Sequence, residues 1–201
     1  MGRMLSPLPK AVLFDMDGTL TSDCLQWDHL RADLGVKVDE AILEAIHRMN
    51  ASDRAHAEAI LHKHEYESAC RSELAPCCHE LLQWLDARGI GRALITRNTR
   101  ASVNAVFDRH GLHFDVAITR EDGEYKPSPQ PLWHACQCLG IEPADAWMVG
   151  DWKYDIEAAN NAAVESVWLR LGRSERSFYA EPKRVVNDLQ ELFDLLKSLT
   201  K

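Results

Sequence analysis

Asp15 and Asp17 stand two residues apart in Asp15-Met16-Asp17-Gly18-Thr19-Leu20, directly after the apolar run Ala11–Phe14. Two carboxylates at i and i+2 on a strand end can both approach one metal ion or one reacting group. Gly18 permits the sharp turn that exposes them. The plain alternative is that both acids cap the turn. Against it, two acids at the end of a buried strand repel each other unless a cation sits between them. Chance would produce the pattern about once in a thousand chains of this length.

Three further groups follow in order. Thr96 ends Ala93-Leu94-Ile95 and precedes Arg97-Asn98-Thr99 at a helix start. A hydroxyl beside free backbone N–H groups makes an anion site, which marks Thr96, Arg97 and Asn98 as candidate phosphate contacts. Lys126 lies in Lys126-Pro127-Ser128-Pro129, where the prolines stiffen its loop. Gly150-Asp151-Trp152-Lys153-Tyr154-Asp155 closes another apolar run, and Asp151 and Asp155 share a face if the segment turns helical. Each has an ordinary reading: a capping threonine, a solvated lysine, acids at a helix N-terminus. Their conjunction in this order is what carries weight.

Five short runs that could position them read as strands: Ala11–Phe14, Ala93–Ile95, Val116–Ile118, Trp147–Val149 and Val164–Leu169. Most are apolar at consecutive positions, as strands buried on both faces are. Helical patterns at Thr99–His110 and Pro131–Leu139 end at Gly111 and Gly140, and a closing amphipathic helix is expected over Asp188–Leu199. Alternating strands and helices predict an α/β fold with a parallel sheet. More than one crossover helix's worth of chain separates the first two strands. Helical patterns at Ser22–Leu34, Asp39–Met49 and Ser52–Cys70 each open on a residue able to cap, and Cys77–Arg88 follows. The surplus reads as a helical insertion. Gly172–Arg184 reads as an irregular surface loop.

Composition excludes some classes. The chain has 201 residues, 46% hydrophobic and 27% charged, with a net charge of −8 and no basic cluster, which disfavours nucleic acid. No run suits a membrane span or a signal peptide, so a cytoplasmic protein with six reduced cysteines is expected. Neither Cys77-Cys78 nor Cys136-Gln137-Cys138 has zinc-site spacing.

In these residues the chain resembles the haloacid dehalogenase superfamily, in its phosphoglycolate phosphatase-like branch, whose four motifs match Asp15–Thr19, Thr96, Lys126 and Gly150-Asp151 to Asp155. The resemblance implies a Rossmann-like parallel sheet flanked by helices. Its first and fourth strands would lie side by side at a topological switch point, bringing Asp15 and Asp151 to the carboxyl edge. It further implies a catalytic core of residues 1–20 and 75–201 and a small helical cap of the first type at 21–74, inserted after the first strand.

The activity implied is that of a Mg2+-dependent phosphoric monoester hydrolase working through an aspartyl-phosphate. By resemblance, Mg2+ is held by the side chains of Asp15 and Asp151 and by the backbone carbonyl of Asp17, while Asp155 orients the metal's surroundings. Asp15 is the nucleophile, Asp17 the acid–base group, Thr96 a donor to phosphate and Lys126 the cation that offsets its charge. Dehalogenases and phosphonoacetaldehyde hydrolases lack an acid at Asp17, so its presence favours phosphoester chemistry. A sugar phosphomutase keeps it and stands as the alternative, ahead of a non-catalytic phosphate-binding scaffold. The expected partner is a small phosphorylated metabolite. Its identity is left open among phosphoglycolate, sugar phosphates and nucleotides, because Ser22-Asp23 reverses the order common in phosphoglycolate phosphatase-like relatives. Cap candidates for substrate contact are Asp23, Trp27 and Arg54, with Gln26, Arg48 and His56 behind them. The competing expectation is that Trp27 packs the cap with Leu30 and Leu34.

Overall fold

Val12, Leu13 and Phe14 are sealed from solvent on both faces of their strand, as a run of consecutive apolar residues requires. The computed structural model describes residues 8–173 and 181–200. Their strands are β1 (Ala11–Phe14), β2 (Gly91–Ile95), β3 (Val116–Ile118), β4 (Ala146–Gly150), β5 (Glu165–Leu169) and β6 (Arg184–Val186). All six pair in parallel in the order β3-β2-β1-β4-β5-β6. The order reverses between β1 and β4, whose register pairs Phe14 with Val149. Asp15 and Asp151 thus leave adjacent strands at the same edge of a Rossmann-like α/β sheet.

The five expected strands are present to within two residues at their ends. The sixth was not foreseen. Arg184–Val186 falls at the end of a stretch read as loop; positions 174–180 of that stretch lie outside the described residues.

Packing divides the chain into two units, one formed by Met1–Ser22, Glu73–Arg97 and His113–Lys201, the other by Asp23–Ser72 and Asn98–Leu112. In the first, α6 (Gln130–Leu139) and α7 (Lys153–Asn161) join the sheet in one apolar cluster that includes Leu13, Ile95, Met148, Leu132 and Ala158. The alternate positions Val12 and Phe14 point to the opposite face, where Phe14 meets Phe114 edge-on with ring centroids 6.2 Å apart. α4 (Cys78–Asp86) packs against α8 (Leu189–Ser198) through Trp84 and Phe193, at 5.6 Å. Leu189, Leu192 and Leu196 are buried at helical spacing, each contributing roughly 1.5–3 kcal/mol. The Asp188 side chain caps α8 by accepting the Glu191 N–H, at 2.8 Å.

The second unit holds α1 (Trp27–Leu34), α2 (Ile42–His47), α3 (Ala51–Arg71) and α5 (Arg100–His110). Leu30, Ile42, Ile46, Ala57 and Leu61 form its core, with Leu34 against it. Three expectations fail here. Ser22 caps no helix, because its N–H donates to the Glu73 carbonyl at 2.8 Å and its hydroxyl accepts the Glu73 N–H at 3.2 Å. The cap of α3 is Asn50, which accepts the Asp53 N–H at 3.1 Å, and not Ser52. Trp27 stays outside that core cluster; it is 47% exposed, and its Nε1 donates to Asp23 at 2.8 Å.

All six cysteines are free thiols. Burial pushes Cys78 up to about 12 and Cys136 to about 11, so both behave as inert core residues. Among the described residues, no helix is long and apolar enough to cross a membrane.

Candidate active site

Asp15 is carried off the end of β1 with its N–H on the Val149 carbonyl, at 2.9 Å, so the ladder between β1 and β4 fixes its backbone. Gly18 then turns the chain with φ +73°. A methyl group there would lie 2.5 Å from Asp151 Oδ2, so the position excludes a side chain twice over, by conformation and by space. Gly150 is constrained by space alone: a methyl would meet Asp155 Cγ at 2.2 Å. These two glycines let the acids of neighbouring strands close on one point. Asp15, Asp151 and Asp155 each offer an oxygen within 4.8 Å of the others.

Lys126 stands among them. Its side chain is 2% exposed, and its Nζ donates to Asp15 Oδ1 at 2.7 Å and to Asp155 Oδ1 at 2.5 Å. The solvated-lysine reading therefore fails. Burial alone would depress this amine, yet the Asp15 and Asp155 carboxylates outweigh it and hold the lysine above its ordinary range. Asp155 also accepts the Trp152 N–H on Oδ2, at 3.0 Å, in the first turn of α7. Asp155 thus caps α7 with one oxygen and meets Lys126 with the other.

A second cation reaches the site from beyond β5. Arg173 Nη1 lies 2.7 Å from Asp151 Oδ2 and 3.2 Å from the Asp151 carbonyl, which also accepts Trp168 Nε1 at 3.1 Å. The sequence reading missed it, having placed Arg173 in a surface loop. The available signal was topological, since in a parallel sheet whatever follows a strand emerges at the edge where Asp15 and Asp151 sit.

Three carboxylates against two cations leave an excess of negative charge. Burial pushes Asp15 well above the usual carboxylate range, with Asp155 and Asp151 adding to the rise and Lys126 opposing it. Burial also lifts Asp151, to about 6, helped by Asp155 and countered by Arg173. Asp151 therefore contributes stability that is fully present below its ordinary value of 3.8 and is lost as pH rises through about 6. Asp151→Asn is accordingly expected to unfold later than wild type at about pH 8 in chelator, by up to about 3 kcal/mol. The gain should vanish near about pH 4, and denaturant unfolding across that range checks it.

Asp17 is half-buried and bridges to Thr21, whose hydroxyl donates to Asp17 Oδ1 at 3.4 Å. Thr19 Oγ1 is buried without a hydrogen-bond partner among the described residues. Thr96 is buried at the end of β2, its N–H on the Ile118 carbonyl at 3.0 Å. Arg97 is held by rings, its guanidinium 4.8 Å from the Tyr125 centroid and 4.1 Å from that of Tyr154. Those aromatics were not singled out from the sequence. Asn98 belongs to the second unit, as do Asp23, Trp27 and Arg54. Arg54 Nη2 donates to the His47 and Met49 carbonyls, at 2.5 and 3.2 Å, which ties the end of α2 to α3.

The donor set suits a hard divalent cation. Among the described residues, Asp15 Oδ2 and Asp151 Oδ1 make no hydrogen bond or ion pair. Carboxylate oxygens of this kind are what Mg2+ takes. Asp155 has both oxygens engaged and is suited to orienting its neighbours.

A sequence profile of the haloacid dehalogenase-like hydrolases matches residues 9–163. A haloacid dehalogenase-like hydrolase domain-containing protein of Arabidopsis thaliana is 31% identical, over 94% of this chain and 84% of its own. The chain belongs to the haloacid dehalogenase-like hydrolase family. Among its relatives is a phosphoglycolate phosphatase of Chromobacterium violaceum, 29% identical over 94% of this chain and 97% of that one. A hydrolase from Pseudomonas syringae shares the fold with a TM-score of 0.81 at 19% identity, covering 94% of this chain and 98% of the other.

Proposed function

We propose that this protein is a Mg2+-dependent phosphatase that hydrolyses a small phosphorylated metabolite through a phosphorylated Asp15. The observation that carries the reading is the placement of Lys126 between Asp15 and Asp155, with Asp151 alongside on the neighbouring strand. A carboxylate approaching a phosphate dianion is repelled, so the site must supply positive charge where the two meet. Mg2+ on Asp15, Asp151 and the Asp17 carbonyl would offset that charge and keep the buried Asp15 carboxylate ionised. Lys126 supplies a fixed share of it from the protein.

In this reading an Asp15 oxygen attacks phosphorus as the bond to the leaving alcohol breaks, and Asp17 gives that alcohol its proton. Asp17 then takes a proton from the water that cleaves the aspartyl-phosphate. Thr96, Arg97 and Lys126 receive the phosphoryl oxygens, and Asp155 holds Lys126 in place. Residues 21–74 are read as the cap, with Asp23 and Trp27 as its candidate substrate residues. Arg54 is the weaker candidate, given its two carbonyl partners. The substrate class nearest to hand is a short phosphorylated acid, on the strength of the phosphoglycolate phosphatase among the relatives.

Purified protein is expected to hydrolyse p-nitrophenyl phosphate with Mg2+, to stop in chelator, and to rank phosphoglycolate high by kcat/KM in a panel of phosphorylated metabolites. Phosphate moving between two positions of a labelled sugar faster than it reaches water would make the protein a mutase and sink the hydrolase reading.

A further inference from the structure

Asp151 is held by a cation that the reaction as proposed does not use. Leu171 and Gly172, with φ of 51° and 71°, turn the chain after β5, and the Arg173 N–H closes that turn on the Arg170 carbonyl at 2.9 Å. The turn returns the guanidinium to Asp151, where Nη1 meets both the carboxylate and the backbone carbonyl. The carboxylate is 9% exposed and the arginine 27%, so the pair is sheltered without being sealed. A guanidinium stays charged at every working pH.

We propose that Arg173 sets the divalent-cation affinity of this site, acting as a tethered cation that competes for the Asp151 carboxylate. The inference rests on the reading that Asp15 and Asp151 hold the ion. Its basis is charge. With the three carboxyls ionised and Lys126 and Arg173 both present, the cluster carries one net negative charge; without Arg173 it carries two. Two cations sharing one carboxylate in a partly desolvated site repel each other more strongly than they would in water. Arg173 therefore lowers the attraction for an incoming ion.

The alternative role, orientation, predicts the reverse. If Arg173 served to aim Asp151 at the metal, its removal would weaken binding, and Lys, lacking the planar fork, would restore little. On the competing-cation account the neutral variants Arg173→Gln and Arg173→Ala bind Mg2+ about tenfold more tightly than wild type, while Arg173→Lys stays near wild type.

The test is direct titration of the full-length protein with Mg2+ by calorimetry, and with Mn2+ by the loss of its free-ion spin-resonance signal. Neither readout needs turnover. Tighter binding in both neutral variants, reversed by lysine, supports the proposal. Equal or weaker binding in variants that melt as folded proteins overturns it and leaves the phosphatase reading standing. Wild-type protein that binds neither ion overturns the metal reading itself, before any variant is made. With two neutral substitutions at a position more than a quarter exposed, the outcome does not hang on one variant's folding.

Discussion

Lys126→Met is expected to destabilise the metal-free protein by about 3–5 kcal/mol at neutral pH. Methionine fills the volume of the lysine stem and adapts to its surroundings, so packing is largely kept. What is lost is the ammonium that satisfies Asp15 at 2.7 Å and Asp155 at 2.5 Å, leaving two buried carboxylates without their cation. The deficit should depend on pH with a definite sign. Burial already holds Asp15 above the usual carboxylate range, and Lys126 is the largest influence opposing that rise. Without the lysine the carboxyl climbs further. A carboxyl raised in the folded state contributes stability present below its unfolded value and lost as pH rises through its folded value. The gap between variant and wild type should therefore be small near about pH 4 and widest above neutrality. Denaturant unfolding at several pH values measures it. A variant as stable as wild type throughout would mean that Lys126 is not the cluster's structural cation.

The contrast with Asp151→Asn is informative because the two substitutions remove opposite charges from one cluster. Taking a carboxylate from a site with excess negative charge relieves repulsion. Taking the buried cation deepens it. A site whose stability rises when an acid is removed is under electrostatic strain as a free protein, and a divalent cation is the partner that would relieve it.

How much of this was legible in the sequence varies with the physical origin of each feature. β1 announces itself because Ala11–Phe14 is buried on both faces, which leaves a continuous apolar run, and Gly18 marks the turn that follows. β6 announces nothing: it has three residues, and Val185 is 49% exposed, so no run forms. Ser22 looks like a cap by type, but its bonds to Glu73 are tertiary, and local pattern does not encode a partner fifty-one residues away. α5 has a clear cap at Thr99 and a clear stop at Gly111, yet nothing in its pattern says that it joins the unit of α3. The acids of the site were found from their order along the chain, whereas their closeness depends on β1 and β4 being neighbours. Arg173 was passed over because polar residues after a strand resemble any loop. Only the parallel topology says that such a loop overlooks Asp151.

Asp15→Asn is expected to cut kcat for p-nitrophenyl phosphate by about 10⁴-fold or more while leaving the fold intact. Asparagine keeps an Oδ1 to accept the Lys126 ammonium, and Asp155 remains as its ionised partner, so the buried lysine stays satisfied. What the amide lacks is a nucleophilic oxygen. If Asp15 bonds to phosphorus, no neighbouring group replaces it, since Asp155 has both oxygens engaged by Lys126 and the Trp152 N–H. If Asp15 only helps hold the ion while water attacks directly, Asn retains a carbonyl oxygen for coordination and activity should recover as Mg2+ is raised. Saturating Mg2+ therefore separates the two accounts. A second measurement tests the bond itself: wild-type protein quenched during turnover and treated with borohydride should carry homoserine at position 15, because an acyl phosphate is reduced where a free carboxylate is not. Quenched enzyme with unmodified Asp15, together with an Asn variant rescued by metal, would reassign the attack to water and leave Asp15 as a ligand.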